Sequence, residues 1–334
     1  LENLEKLNKK FWKNRKVLVT GPTGIVGSWL VKDLLALSAK VVVLIRDIEP
    51  KSEFYRSGDV KRVTAIYGKL EDFGLLKRIL SRHKIDTVFH LAAQAIVDTA
   101  YHSPLATFES NIRGTYNLLE ACRIYKNSVR QIIIASSDKA YGEQPRLPYK
   151  ENMPLRGRYP YEVSKSCADL LAQSYYHTYD LPVVIVRCGN IYGGGDLNWS
   201  RIVPATIRSL LENERPIIRS DGSYIRDYIY VKDVCRAYIY LAQNLKNKKL
   251  WGEAFNISNE SPLTVMQLVK IIQKLMGCSR IKPKIINCAK GEIHSQHLSS
   301  AKIRKMVHWK PQFGLKSGLT ETIRWYDDFL SKKQ

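Results

Sequence analysis

Apolar residues in this chain gather in short, almost unbroken runs: KVLVT (16–20), KVVVLI (40–45), DTVFHLA (86–92), QIIIAS (131–136) and PVVIVR (182–187). Each is rich in β-branched side chains and lacks the alternation of a half-exposed strand, as expected of parallel strands covered on both faces. Stretches with helical spacing lie between them. VGSWLVKDLLALS (26–38) follows the first run, LATFESNIRGTYNLLEACRIY (105–125) follows the third, and EVSKSCADLLAQSYYHTY (162–179) precedes the fifth. This alternation predicts an α/β fold built on a doubly wound parallel sheet. Beyond residue 190 the rhythm loosens into GGGD (193–196), RSDGSYIRDY (219–228) and isolated helices such as TVMQLVKIIQKLM (264–276). A sheet domain is therefore expected over 1–190, with segments about 227–258 returning to it, and a smaller substrate-binding lobe mainly over 191–334.

The first strand runs directly into TGPTGIVG (20–27), where Gly21, Gly24 and Gly27 form a G-x-x-G-x-x-G motif followed at once by a helix. Such glycines permit a tight turn, let the backbone approach a pyrophosphate and keep the helix close to the sheet, while the helix N-terminus attracts the phosphates. The motif makes the sheet Rossmann-type and assigns Thr23, Ile25 and Val26, with the glycines, to a dinucleotide. At the end of the second strand Asp47 is placed for the adenosine ribose hydroxyls of NAD. Arg46 beside it suits a 2′-phosphate, which leaves NADP open.

Two pairs of titratable residues carry candidate chemistry. SSDKAYG (136–142) sets Asp138 and Lys139 side by side where a buried strand ends. In YPYEVSK (159–165), Tyr161 and Lys165 are four apart, hence on one face of a helix. A lysine ammonium and the positive nicotinamide both favour a phenolate, so Tyr161 is a candidate base near neutral pH.

Composition narrows the field. The 334 residues suit one large α/β domain or two closely joined ones, and no apolar run approaches the length of a membrane span. The start, LENLEKLNKKFWKNRK, has no apolar segment, so a cytoplasmic protein is expected. Six scattered cysteines without a C-x-x-C pair argue against a zinc ribbon or a disulfide scaffold, and the sequons at Asn198, Asn256 and Asn259 carry no weight without a secretory route. A formal charge of +22 invites a nucleic-acid reading, but the lysines are dispersed without a dense run or a groove-reading motif. A basic enzyme surface that serves anionic ligands, with neither nucleic acid nor membrane as partner, is the expectation. The histidines of HSQH, His294 and His297, are read as structural or as part of the substrate lobe, and no metal site is expected.

Together these motifs resemble the extended short-chain dehydrogenase/reductase family, in its branch of nucleotide-sugar epimerases and 4,6-dehydratases. The likeness runs over nearly the whole chain, from FWKNRKVLVTGPTGIVGSWL through VFHLAAQ, ESNIRGTYNLLEAC, SSDKAYG, YEVSK, RCGNIYGGGD and RDYIYVKD to EIHSQHLSSAKIRKMVHWKP. SSDK, GNIYGGGD and the C-terminal stretch look like CDP-glucose 4,6-dehydratases; RDYIYVKD looks more like dTDP-glucose dehydratases and UDP-hexose epimerases. Two departures stand out. YGKLED places Lys69 and Leu70 where the family commonly has Asp and an aliphatic residue at the adenine, and Asp138-Lys139 replaces the Asp-Glu of many 4,6-dehydratases.

The resemblance implies a nucleotide-diphosphate sugar as substrate. It implies that Tyr161 takes the C4 hydroxyl proton while NAD accepts the hydride, that Ser137 holds the hydroxyl, and that Asp138 and Lys139 are the acid and base of C5/C6 water elimination. It adds Leu70, Leu91, Ala92 and Ala93 to the cofactor contacts and assigns Gln94, Asn190, Arg201 and Arg226 to the substrate. A homodimer through helices at about 105–125 and 161–179 is also implied. The competing expectations are a UDP- or CDP-sugar 4-epimerase, which needs no acid–base pair at C5 and C6, and a non-catalytic dinucleotide-binding protein, which needs no Ser137, Tyr161 or Lys165.

Overall fold

The computed structural model describes residues 7–288 and 292–331. All five expected runs become parallel strands of one sheet: β1 (Lys16–Thr20), β2 (Lys40–Ile45), β4 (Thr87–His90), β5 (Gln131–Ala135) and β6 (Val183–Cys188). Two further strands complete it, β3 (Thr64–Tyr67) and a seventh strand, Ala254–Ile257. The order across the sheet is Ala254–Ile257, β6, β5, β4, β1, β2, β3. Both added strands are four-residue edge strands. β3 is only half-buried, and the seventh strand, though buried, is interrupted by Asn256, so neither leaves a strong apolar run in the sequence.

The unbroken apolar runs have a simple structural origin. Val17, Val19, Val41, Val43, Ile133, Val184 and Val186 point into one core layer, which the helices Ile25–Ala36 and Val231–Asn244 cover. Their neighbours Leu18, Val42, Leu44, Ile132, Ile134, Val183 and Ile185 point into a second layer under the helices Phe73–Arg82, Gly114–Ile124 and Pro160–Tyr179. Side chains alternate across the sheet with period two, and both destinations are apolar.

The expected helix over 105–125 is divided into Pro104–Phe108, a wide π turn at Glu109–Arg113, and Gly114–Ile124. The widened turn directs Asn111 sideways. Its amide accepts from Gln94 N (2.6 Å), donates to Gln94 O (3.0 Å) and donates to Ser164 Oγ (2.9 Å), tying the loop after β4 to the helix Pro160–Tyr179. In the C-terminal half, short strands form small sheets: Asn190–Tyr192 beside Tyr228–Tyr230, and Ile225–Arg226 between Leu263–Thr264 and Ser295–Gln296. The helices Ile202–Leu211, Val265–Leu275 and Leu315–Ser331 pack around them. Among the described residues, no helix is long and apolar enough to cross a membrane.

Candidate active site

A cleft of about 1640 Å³ opens where β1, β2, β4, β5 and β6 end, with the C-terminal half of the chain forming its other wall. Ligands of doubly wound sheets bind along these carboxyl ends. Every residue expected at the cofactor or in catalysis lines it.

The glycine turn fits a dinucleotide. Gly21 has φ +73°, and a Cβ there would lie 2.8 Å from the backbone of Ala92; a Cβ on Gly27 would lie 2.0 Å from the Gly21 carbonyl oxygen. The backbone is thus packed to a closeness that only glycine permits. Gly24 is the N-cap of the helix Ile25–Ala36, and no side chain caps that end, so its amide dipoles face the cleft. Gly27→Ala is therefore expected to purify folded but without dinucleotide, with affinity for added NAD reduced by at least about tenfold. Retained absorbance at 260 nm and an unchanged titration would refute the assignment.

At the end of β2, Arg46 Nε pairs with Asp47 at 2.6 Å, and both side chains remain exposed. Leu70 is buried and also lines the cleft; it packs against Gly114, while Asn117 Nδ2 donates to its carbonyl oxygen at 3.2 Å. Leu70 thus packs as the aliphatic residue of the pair expected at the adenine, beside Lys69, which stands where the family commonly has Asp.

The candidate acid–base residues converge from two elements. Ser137 caps the single turn Asp138–Tyr141 that follows β5, accepting from Lys139 N at 3.2 Å, and its hydroxyl donates to Asp138 Oδ1 at 3.1 Å. The helix Pro160–Tyr179 begins with proline in its first turn, and Glu162 closes a capping box by accepting from Arg158 N and Tyr159 N. This fixed start sets Tyr161 in the first turn and Lys165 one turn later. Lys165 Nζ donates to the Ala135 carbonyl at 2.8 Å, and burial pulls its pKa down to about 8, with Cys188 and Asp169 opposing.

Burial pushes the Tyr161 hydroxyl above its usual value, with Asp138 and Cys188 adding to the rise; the Arg201 charge and the Ser137 hydroxyl pull it back. Arg201 is thus a cation that acts on Tyr161 within the chain, while the Lys165 amine, one helical turn after Tyr161, donates to a carbonyl. Burial likewise raises Asp138 and lowers Lys139, each partly opposed by the other's charge. The low dielectric therefore drives this pair toward an uncharged acid and an uncharged amine.

The substrate wall carries Asn190, whose buried Nδ2 has no partner within the protein, and Arg201, paired with Asp196 at 3.2 Å. Arg226 is buried, donates to the Ile225 and His294 carbonyls, and stands 3.4 Å from Glu292. Gln94, expected at the substrate, lies between the cleft-lining residues Ala93 and Ala95. Asn111 holds its backbone, and its own Oε1 accepts from Ile96 N at 3.1 Å, which turns the side chain back on its loop.

Gln296 went unnoticed in the sequence. It lies within HSQH, where the flanking histidines draw attention, yet it is Gln296 that accepts from Lys139 Nζ at 2.9 Å. His294 instead meets the Ser223 and Ser295 hydroxyls.

Residues 18–322 match the model of the GDP-mannose 4,6 dehydratase family. The chain belongs to that family. Among its relatives, CDP-glucose 4,6-dehydratase of Salmonella typhimurium is 31% identical, over 96% of this chain and 92% of that protein. The structure of a dTDP-glucose 4,6-dehydratase from Streptomyces venezuelae, with NAD and TYD bound, superimposes with a TM-score of 0.84 at 28% identity, covering 93% of this chain and 97% of the other. UDP-glucose 4-epimerase from Thermotoga maritima, solved with UDP-glucose, superimposes with a TM-score of 0.85 at 28% identity, over 94% and 99%. Dehydratases and epimerases share this architecture, so the choice between them rests on the side chains in the cleft.

Proposed function

We propose that the protein is an NAD-dependent nucleotide-sugar 4,6-dehydratase that converts a CDP- or UDP-linked glucose to its 4-keto-6-deoxy form with loss of water. The observation that carries this reading is Asp138 and Lys139 standing beside Tyr161 in one cleft, both driven by burial toward their uncharged forms.

NAD bound over the glycine turn supplies the hydride acceptor for oxidation at C4 and the hydride returned at C6. The turn from Gly21 to Gly27 holds its pyrophosphate, Asp47 its adenosine ribose, and Leu91, Ala92, Ala93, Tyr161 and Lys165 line its path. A 2′-phosphate would meet the Asp47 carboxylate, which favours NAD over NADP. Arg226 and Asn190 bind the sugar diphosphate, with Arg201 at the edge of the sugar site; arginine offers paired charge-assisted hydrogen bonds to phosphate.

With the positive nicotinamide of bound NAD beside it, which would offset the effect of burial and favour the phenolate, Tyr161 would remove the proton of the C4 hydroxyl, which Ser137 orients. The ketone formed at C4 acidifies the hydrogen at C5. Neutral Lys139 takes that proton, while protonated Asp138 gives its own to the C6 oxygen, which departs as water. Elimination thus turns a neutral pair into an ion pair without changing the net charge of a buried site. Lys139 then protonates C5. The proton left on Tyr161 restores Asp138 through Ser137, whose hydroxyl touches the carboxylate.

The chain divides into an NAD-binding part, 1–190 with about 227–258, and a substrate lobe over the remainder of 191–334. Leu105, Tyr116 and Ile124 on one helical segment, with Leu170 and Tyr179 on the helix Pro160–Tyr179, are large apolar side chains left exposed. A second copy of the chain covers them in a homodimer, and a monomeric mass by light scattering would refute this.

Incubation with CDP-, UDP- and dTDP-glucose tests the reading. Its support is a 4-keto-6-deoxy product, which absorbs in alkali. A C4 epimer would identify a 4-epimerase, and no change in any sugar a non-catalytic dinucleotide-binding protein.

A further inference from the structure

Gln296 is fully buried, and both ends of its amide are engaged. Lys139 Nζ donates to Oε1 at 2.9 Å, and Nε2 donates to the Asp138 carbonyl oxygen at 3.0 Å. A backbone carbonyl accepts only, so the amide nitrogen must face it and the amide oxygen must face the lysine. Gln296 also lies opposite Arg226 in the register of two short parallel strands. The strand beside the diphosphate-binding arginine therefore grips the acid–base turn.

We propose that Gln296 is a positioning residue for the acid–base pair: it aims the Lys139 amine at C5 and, being uncharged, favours the ammonium far less than a carboxylate in its place would. The inference rests on the dehydratase reading of the same cleft. A lysine carries its nitrogen on a flexible four-carbon stem, and a buried donor needs an acceptor to fix its direction. A carboxylate in the place of Gln296 would still accept from the amine, but it would give up the bond to the Asp138 carbonyl and favour the charged form, which cannot accept a proton. An apolar residue would leave the stem unanchored. The charged groups already acting on Lys139 are Asp138 on its own turn, Glu162 on the helix Pro160–Tyr179, Arg226 on the adjoining short strand, and Glu292. Gln296 contacts the amine yet adds no charge to this set.

The test uses purified holoenzyme and whichever of CDP-, UDP- or dTDP-glucose the wild type turns over, with three readouts: nicotinamide reduction in the first turnover, deuterium entry at C5, and the pH profile of product formation. Gln296→Leu is expected to slow product formation and C5 exchange at least about tenfold, with first-turnover reduction within about twofold of wild type. Gln296→Glu, nearly isosteric, is expected to move the acid limb of the profile upward by about one pH unit and to recover rate at alkaline pH. A Gln296→Glu profile that superimposes on wild type would overturn the proposal, and so would Gln296→Leu slowing reduction and C5 exchange alike. If Gln296→Leu does not fold, the Gln296→Glu profile decides. Full turnover by Lys139→Met would overturn the dehydratase assignment and this inference with it. A crippled Lys139→Met beside unaltered Gln296 variants would reject the role of Gln296 alone.

Discussion

Lys139→Met is expected to retain NAD and oxidise the sugar at C4, yet to lose product formation by roughly 100- to 10,000-fold, the usual contribution of a positioned acid or base. Deuterium from solvent should no longer enter at C5, and reduced nicotinamide should accumulate, because the ketone forms but cannot eliminate. The pH dependence should change as well. In the wild type, Lys139 must be unprotonated, so the rate falls as pH drops through a lysine pKa that burial has lowered, with the Arg226 charge assisting and Asp138 opposing. Methionine removes that group, and any residual rate should lose this acid limb. Wild-type turnover in Lys139→Met would refute the base assignment.

Tyr161→Phe should fail one step earlier. Without the hydroxyl the C4 proton has no acceptor, so nicotinamide reduction and product formation should both fall by roughly 100- to 10,000-fold, and C5 exchange should vanish with them because no ketone forms. NAD retention and thermal stability should stay close to wild type, since the ring is kept and the variant deletes only the oxygen. Rapid-scan absorbance after mixing with substrate separates the two variants: Lys139→Met shows reduced nicotinamide, Tyr161→Phe does not. Equal early reduction in both would refute the division of labour between the turn after β5 and the helix Pro160–Tyr179.

Much of this arrangement was legible in the chain. A strand buried on both faces must be apolar throughout, so five strands announce themselves, while Thr64–Tyr67 and Ala254–Ile257, short and at the edges, do not. The glycine motif is readable because it records close backbone approach within a few residues. Tyr161 and Lys165 are readable because one helical turn sets their spacing. Gln296 was missed for the opposite reason: the turn at Asp138–Lys139 that it bonds is more than 150 residues away.

The sequence by itself determined the parallel sheet and the glycine turn, since local spacing and side-chain type suffice for each, and it brought Asp138, Lys139 and Tyr161 forward as candidates whose roles the family resemblance supplied. The tertiary structure alone decided their electrical states. Burial from all sides raises Asp138 and lowers Lys139, Arg201 from a distant part of the chain acts on Tyr161, and a glutamine from a distant strand holds the amine. Desolvation and long-range charge depend on what surrounds a group in space, which neighbouring positions in the chain do not record.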